Sequence, residues 1–107
     1  MLAEKPVFKM YIKGDCPYCE KARDLILNDL EASLHTIDVT DEPDLRKSVI
    51  KETGQKTVPV VYLGEEFVGG CDDLINLRQS GEIELKILRE EVKILRDEVT
   101  LLKGRLL

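Results

Sequence analysis

Val7-Phe8-Lys9-Met10-Tyr11-Ile12, then Lys13-Gly14-Asp15, then Cys16-Pro17-Tyr18-Cys19 decide how this chain is read. The first six residues are mostly apolar and read as a strand, central in its sheet. Beyond Cys19, the residues Ala22, Leu25, Ile26 and Leu30 recur at helical spacing, so a helix is expected from Cys19 to Leu30. A thiol at the start of a helix meets unpaired backbone N–H groups and the positive end of the helix dipole, and both favour the thiolate. The thiolate is the form that attacks. Pro17 suits the first helical turn, where a missing N–H costs nothing, and Lys13 adds positive charge nearby. Cys16 is therefore the expected nucleophile and Cys19, one turn further in, the resolving thiol.

Two plainer uses of this pair are weaker. A zinc site needs four N or S ligands, and beyond the pair the chain offers only Cys71 and His35. A purely structural disulfide suits an oxidising compartment. Here the opening stretch, Met1 to Pro6, is short and polar with no secretory pattern, and three cysteines cannot all pair. A reducing cytoplasm is the expected setting, and there Cys-x-x-Cys beside a strand–helix pattern reads as redox chemistry. No metal is expected.

A chain of 107 residues suffices for one small domain with a core. No apolar run approaches the roughly 18 residues of a membrane span. A net charge of −5, with no basic face and no cluster of aromatic residues for stacking, leaves no footprint for nucleic acid. Charge divides unevenly. Residues 1–81 carry the whole net charge, and residues 82–107 are neutral yet densely charged. Ser80-Gly81 marks the boundary between two expected segments, 1–81 and 82–107.

Along the first segment, Leu34 to Val39 reads as a second strand. Asp41-Glu42-Pro43-Asp44 opens a helix that carries Leu45, Val49 and Ile50 on one face and stops at Gly54. Val58 to Leu63 reads as a third strand, Gly64-Glu65 as a turn, Glu66 to Val68 as a fourth strand, and Asp72 to Gln79 as a short helix. The order βαβαββα predicts an α/β fold with a mixed four-stranded sheet covered on both faces.

Two further motifs carry chemistry. In Thr57-Val58-Pro59 the proline cannot donate to a sheet. It sits either at an edge or in a turn with a cis Val–Pro bond, which would leave the Val58 N–H and C=O free to pair with an extended peptide-like ligand. In Gly69-Gly70-Cys71-Asp72-Asp73, Asp72 or Asp73 caps the following helix. The same helix N-terminus suits an anion and the carboxylate beside it suits an ammonium, so together they could hold both charges of an amino-acid end group.

In this order, Cys16-Pro17-Tyr18-Cys19, Thr57-Val58-Pro59 and Gly69-Gly70-Cys71-Asp72-Asp73-Leu74 resemble a dithiol glutaredoxin across about residues 6–81. Thioredoxins share Cys-x-x-Cys but typically carry Trp before it and Gly-Pro within it. This chain has Asp15, Pro17-Tyr18 and no Trp. The resemblance implies a thioredoxin-like fold, glutathione as co-substrate, and disulfide-bonded or glutathionylated proteins as substrates. It implies that Cys16 attacks and carries the glutathionyl group, and that Cys19 resolves protein disulfides. By the same resemblance Pro59 is cis, and the backbone of Val58, within Thr57-Val58-Pro59, pairs with the glutathione cysteine. Asp72 takes the γ-glutamyl ammonium, while the Cys71 and Asp72 N–H groups beside Gly70 meet its carboxylate. Lys13, with Gln55 or Lys56, meets the glycine carboxylate, and Tyr18 flanks the sulfur path. Cys71 itself reads as small buried packing volume.

The last 26 residues depart from that family. Leu85, Val92, Val99 and Leu106 fall at heptad position a and Leu88, Leu95 and Leu102 at d, a pattern favouring a parallel two-stranded coiled coil. Glu84, Glu91 and Glu98 fall at g; Arg89, Arg96 and Lys103 fall at e. A helix is expected from Ile83 to about Lys103, weakened by Gly104. Ile87, Ile94 and Leu101 repeat at c, which a simple zipper would expose. Either the helix also packs on its own domain or more than two helices assemble. The expectation is a homodimer or tetramer through residues 83–106. Rival readings are a carrier of a [2Fe–2S] cluster between two subunits, a reductase using another electron donor, and a tail that docks on a different coiled-coil protein.

Overall fold

The computed structural model describes residues 6–106, with side chains as far as residue 101. Four strands and four helices follow one another as β1 (Val7–Ile12), α1 (Pro17–Asp24, continued by a π-helical turn over Leu25–Asp29), β2 (Ser33–Asp38), α2 (Pro43–Thr53), β3 (Val60–Leu63), β4 (Glu66–Gly69), α3 (Cys71–Ser80) and α4 (Glu82–Leu106). The sheet order is β2-β1-β3-β4. β1 pairs parallel with β2, β3 runs antiparallel to β1, and β4 antiparallel to β3 with a register shift at Val61/Tyr62. This is the mixed four-stranded sheet of a thioredoxin-like fold.

Alternation along β1 and β3 sorts the two faces. Phe8, Met10, Val61 and Leu63 point to one side, where Ala22 and Ile26 of the first helix and Leu74 of α3 close a dry cluster. Val60 and Tyr62 point to the other, against Val49 of α2, with Tyr11 and Leu45 packed at the margin. Lys9 lies on this second face with its ammonium 4.7 Å from the Tyr62 ring centre, a cation–π contact. The apolar β1 is indeed central, between β2 and β3.

Several boundaries differ from the sequence expectation. α1 begins at Pro17 rather than Cys19, because Cys16 serves as its N-cap. β3 begins at Val60 rather than Val58, since Pro59 offers no N–H to the ladder and the Val58–Pro59 bond is cis. Gly54 and Gly81 end α2 and α3 in the left-handed conformation, at φ 76° and 84°. The last helix runs past Gly104 to Leu106.

α4 does not stand apart from the sheet. Ile83 is fully buried in the first cluster and Ile87 packs against it; burying a side chain like Ile83 contributes about 1.5–3 kcal/mol. Arg78 joins three elements, donating from Nε to Asp29 at 2.8 Å and pairing from Nη1 with Glu84 at 2.9 Å. Lys86 reaches Glu66 of β4 at 2.8 Å. Among the described residues no helix is long and apolar enough to cross a membrane.

Candidate functional site

The site forms where three chain breaks meet: the turn before α1, the cis-proline turn before β3, and the glycine pair before α3. Asp15 precedes the cysteines in the left-handed region (φ 50°), turning the chain so that Cys16 enters α1 as its N-cap. The Cys19 N–H donates to Cys16 Sγ at 3.1 Å, and the Cys19 and Glu20 N–H groups also reach Cys16 O. One sulfur thus takes an orphan donor at the helix N-terminus. Cys16 and Cys19 are joined as a disulfide, with Cα atoms 5.2 Å apart. Cys16 is half-buried and Cys19 buried, so the outer sulfur is the one a partner can approach.

The loop holding the cysteines is tied down from β2. Thr40 Oγ1 accepts from the Gly14 N–H at 3.0 Å and donates to Asp38 Oδ1 at 2.6 Å. The Asp38 carboxyl is held below its ordinary value, first by the Thr40 hydroxyl and then by the Thr40 N–H. This tie was missed in the sequence, where its partners are 26 residues apart.

Cys16 Sγ lies 3.9 Å from the carbonyl oxygen of Val58, beside a cleft of about 420 Å³, toward the lower end of the 300–1,000 Å³ typical of small-molecule sites. Thr57, Val58 and Pro59 contribute to its lining together with Gly70, Cys71, Asp72 and Asp73, and Tyr18 and Gln55 complete it. Tyr18 is 60% exposed. Lys13 and Lys56 do not line this cleft. Gln55 does, but its amide points into the protein: Nε2 donates to Thr57 O at 3.0 Å and to Pro59 O at 2.8 Å, clamping the cis-proline turn.

The glycine pair is required by close approach. Gly69 adopts φ 130°, a conformation other residues rarely take, and a Cβ there would strike the Asp73 carboxylate. A Cβ on Gly70 would come within 3.2 Å of Gln55 Nε2. Asp73, at the third position of α3, accepts from the Gly70 N–H at 2.9 Å, the backward half of a capping box. Asp73 is therefore the cap, and exposed Asp72 keeps its carboxylate uncommitted. Asp73 as a cleft residue was also missed, although its spacing from Gly70 was the available signal. Cys71 is buried at 5% exposure. Burial pushes its thiol above the ordinary value, Lys21 opposing and Asp72 adding to the effect. Among the described residues no group of three or more His, Cys, Asp or Glu side chains converges.

The family model described as Glutaredoxin matches residues 8–68. Human glutaredoxin-1 is 35% identical over 79 residues, spanning 69% of this chain and 74% of the human protein. The solution structure of a glutaredoxin from Brucella melitensis is similar at TM-score 0.68 and 32% identity, covering 78% of this chain and 89% of that one. A buckwheat glutaredoxin solved in complex with glutathione is similar at TM-score 0.69 and 26% identity, covering 78% of each chain.

Proposed function

This chain belongs to the glutaredoxin family and is a thiol–disulfide oxidoreductase, and on that premise we propose that glutathione is its electron donor and that glutathionylated and disulfide-bonded proteins are its substrates. The observation that carries the reading is Cys16 Sγ set beside the Val58 carbonyl, next to the cleft lined by Val58 and the start of α3.

Glutathione is a short extended peptide with two carboxylates and one ammonium. The Val58 backbone suits its cysteine as a one-residue strand addition. The first N–H groups of α3 have no intrahelical acceptor and suit the γ-glutamyl carboxylate, and Asp72 suits the neighbouring ammonium. Thr57, Tyr18 and the Gly70 backbone flank that path. Lys13 remains an expectation for the glycine carboxylate on charge alone, whereas Gln55 acts by positioning the turn.

The reaction is a pair of sulfur exchanges. The Cys16 thiolate, favoured by the α1 N-terminus, attacks the glutathionyl sulfur of a mixed disulfide. The protein thiolate leaves and takes a proton, and Cys16 carries glutathione. A second glutathione thiolate attacks that sulfur, releasing oxidised glutathione and restoring the Cys16 thiolate. With a protein disulfide, Cys16 first forms a mixed disulfide with the protein. Cys19 then attacks Cys16, freeing the reduced protein and closing the Cys16–Cys19 disulfide, which two glutathione molecules reopen.

The test is donor selectivity. Turnover with glutathione should far exceed turnover with 2-mercaptoethanol at matched thiolate concentration, because only the peptide engages the cleft. Equal turnover would remove the case for a glutathione site.

A further inference from the structure

α4 presents two opposite faces. Ile83 and Ile87 enter the core, and Glu90 lies against the β3–β4 turn at Gly64. At 3.6 residues per turn, these f and c positions lie roughly 160° around the helix from the a/d seam. That seam has no partner within the chain: Leu85, Leu88, Val92, Leu95 and Val99 are 44–55% exposed. Contiguous apolar exposure of this kind marks an interaction surface. We propose that α4 pairs with α4 of a second copy of this chain, as a parallel two-stranded coiled coil.

The flanking charges choose both the occupant and the direction. In a parallel pair each g residue faces the following e residue of the other helix. Glu91 then meets Arg96, opposite in sign. In an antiparallel pair g faces g and e faces e, which sets Glu against Glu and basic against basic. Glu84 is already held by Arg78, so the first g position contributes least. Ile87 packs, partly buried, against the first core cluster, so near the domain the unpartnered apolar surface is the a/d seam, and the c row is exposed at its far end, where Leu101 is 61% exposed. The domain packs on the side of α4 away from the seam, which leaves the seam open to a partner helix. The catalytic cysteines stay open, since Cys71 at the cleft and the start of α4 lie at opposite ends of α3, about 15 Å apart.

The test is the mass of the full chain by sedimentation across concentration, beside activity. Wild type should rise from one to two multiples of the 12.2 kDa chain mass. Leu95→Lys, at an exposed position, should stay monomeric with unchanged turnover per chain, whereas Asp97→Lys at f should dimerise as wild type does. Glu91→Lys should weaken association at least tenfold, and Glu91→Lys combined with Arg96→Glu should restore it. A wild type monomeric up to roughly millimolar concentration, a trimer or tetramer, or a Leu95→Lys dimer would overturn the proposal. Association unchanged by Glu91→Lys would overturn the parallel pairing. Activity reads out the redox function separately, so loss of dimer and loss of that function are distinguishable.

Discussion

Cys16 Sγ and the Val58 carbonyl oxygen, 42 residues apart in sequence, stand 3.9 Å from one another. The attacking sulfur therefore meets a backbone edge that side-chain chemistry cannot alter, and whatever holds that edge controls the approach of a substrate disulfide.

Gln55 holds it. Its Nε2 bonds to Thr57 O and Pro59 O contribute about 0.5–1.5 kcal/mol each. Gln55→Ala should lower stability by about 1–2 kcal/mol and reduce kcat/KM for glutathionylated substrate. Gln55→Glu should do worse, placing a carboxylate against two carbonyl oxygens. Thermal melts and steady-state kinetics on both variants check this; wild-type kinetics in Gln55→Glu would contradict the positioning role.

Asp72 and Asp73 should separate cleanly. Asp73→Ala removes the acceptor of the Gly70 N–H and should cost about 1 kcal/mol, a fall in Tm of roughly 4–8 °C for a domain of this size. Asp72→Asn should leave Tm unchanged and raise KM for glutathione severalfold. The reverse pattern would exchange their roles.

Cys71 lies in the cleft wall but is buried, and burial holds its thiol above the ordinary value. Iodoacetamide added to the reduced protein near neutral pH should label Cys16 first and leave Cys71 unmodified until denaturant is added. Mass spectrometry of the labelled peptides decides; equal labelling of Cys16 and Cys71 would contradict the buried, inert reading.

Asp38 gives the acid limb a specific component. Its folded value is depressed, so the Thr40 bonds stabilise the fold fully above the ordinary carboxylate value of 3.8, and that contribution is lost as pH falls through the lower folded value. Thr40→Val should destabilise at pH 6, and the gap from wild type should narrow below pH 3.8. Melting curves across that window check the sign; a gap that widens in acid would contradict it.

Much of this was legible in local sequence. β1 falls at Val7–Ile12 as its apolar run predicts, and Gly54 and Gly81 stop their helices where the sequence marks a stop. The three motifs were visible because glycine, proline and paired cysteines restrict the backbone by themselves. What stayed hidden depends on contacts between distant segments. Nothing near Gly14 announces Thr40, and nothing near Asp29 announces Arg78, 49 residues away. Gln55 reads as a polar loop residue until the turn it clamps is seen. Ile87 of α4 is a case of the same kind: heptad spacing places it on the c row, and only the fold shows that it packs against the core cluster of its own domain.

The most direct measurement is glutathione-driven reduction of a glutathionylated peptide by wild type and by Cys19→Ser. The account predicts that Cys19→Ser retains activity on this substrate, because Cys16 and glutathione complete the exchange without the second thiol, and that it loses activity on a protein disulfide. Absence of glutathione-driven turnover in both proteins would contradict the account and remove the glutathione roles given to Val58, Cys71 and Asp72.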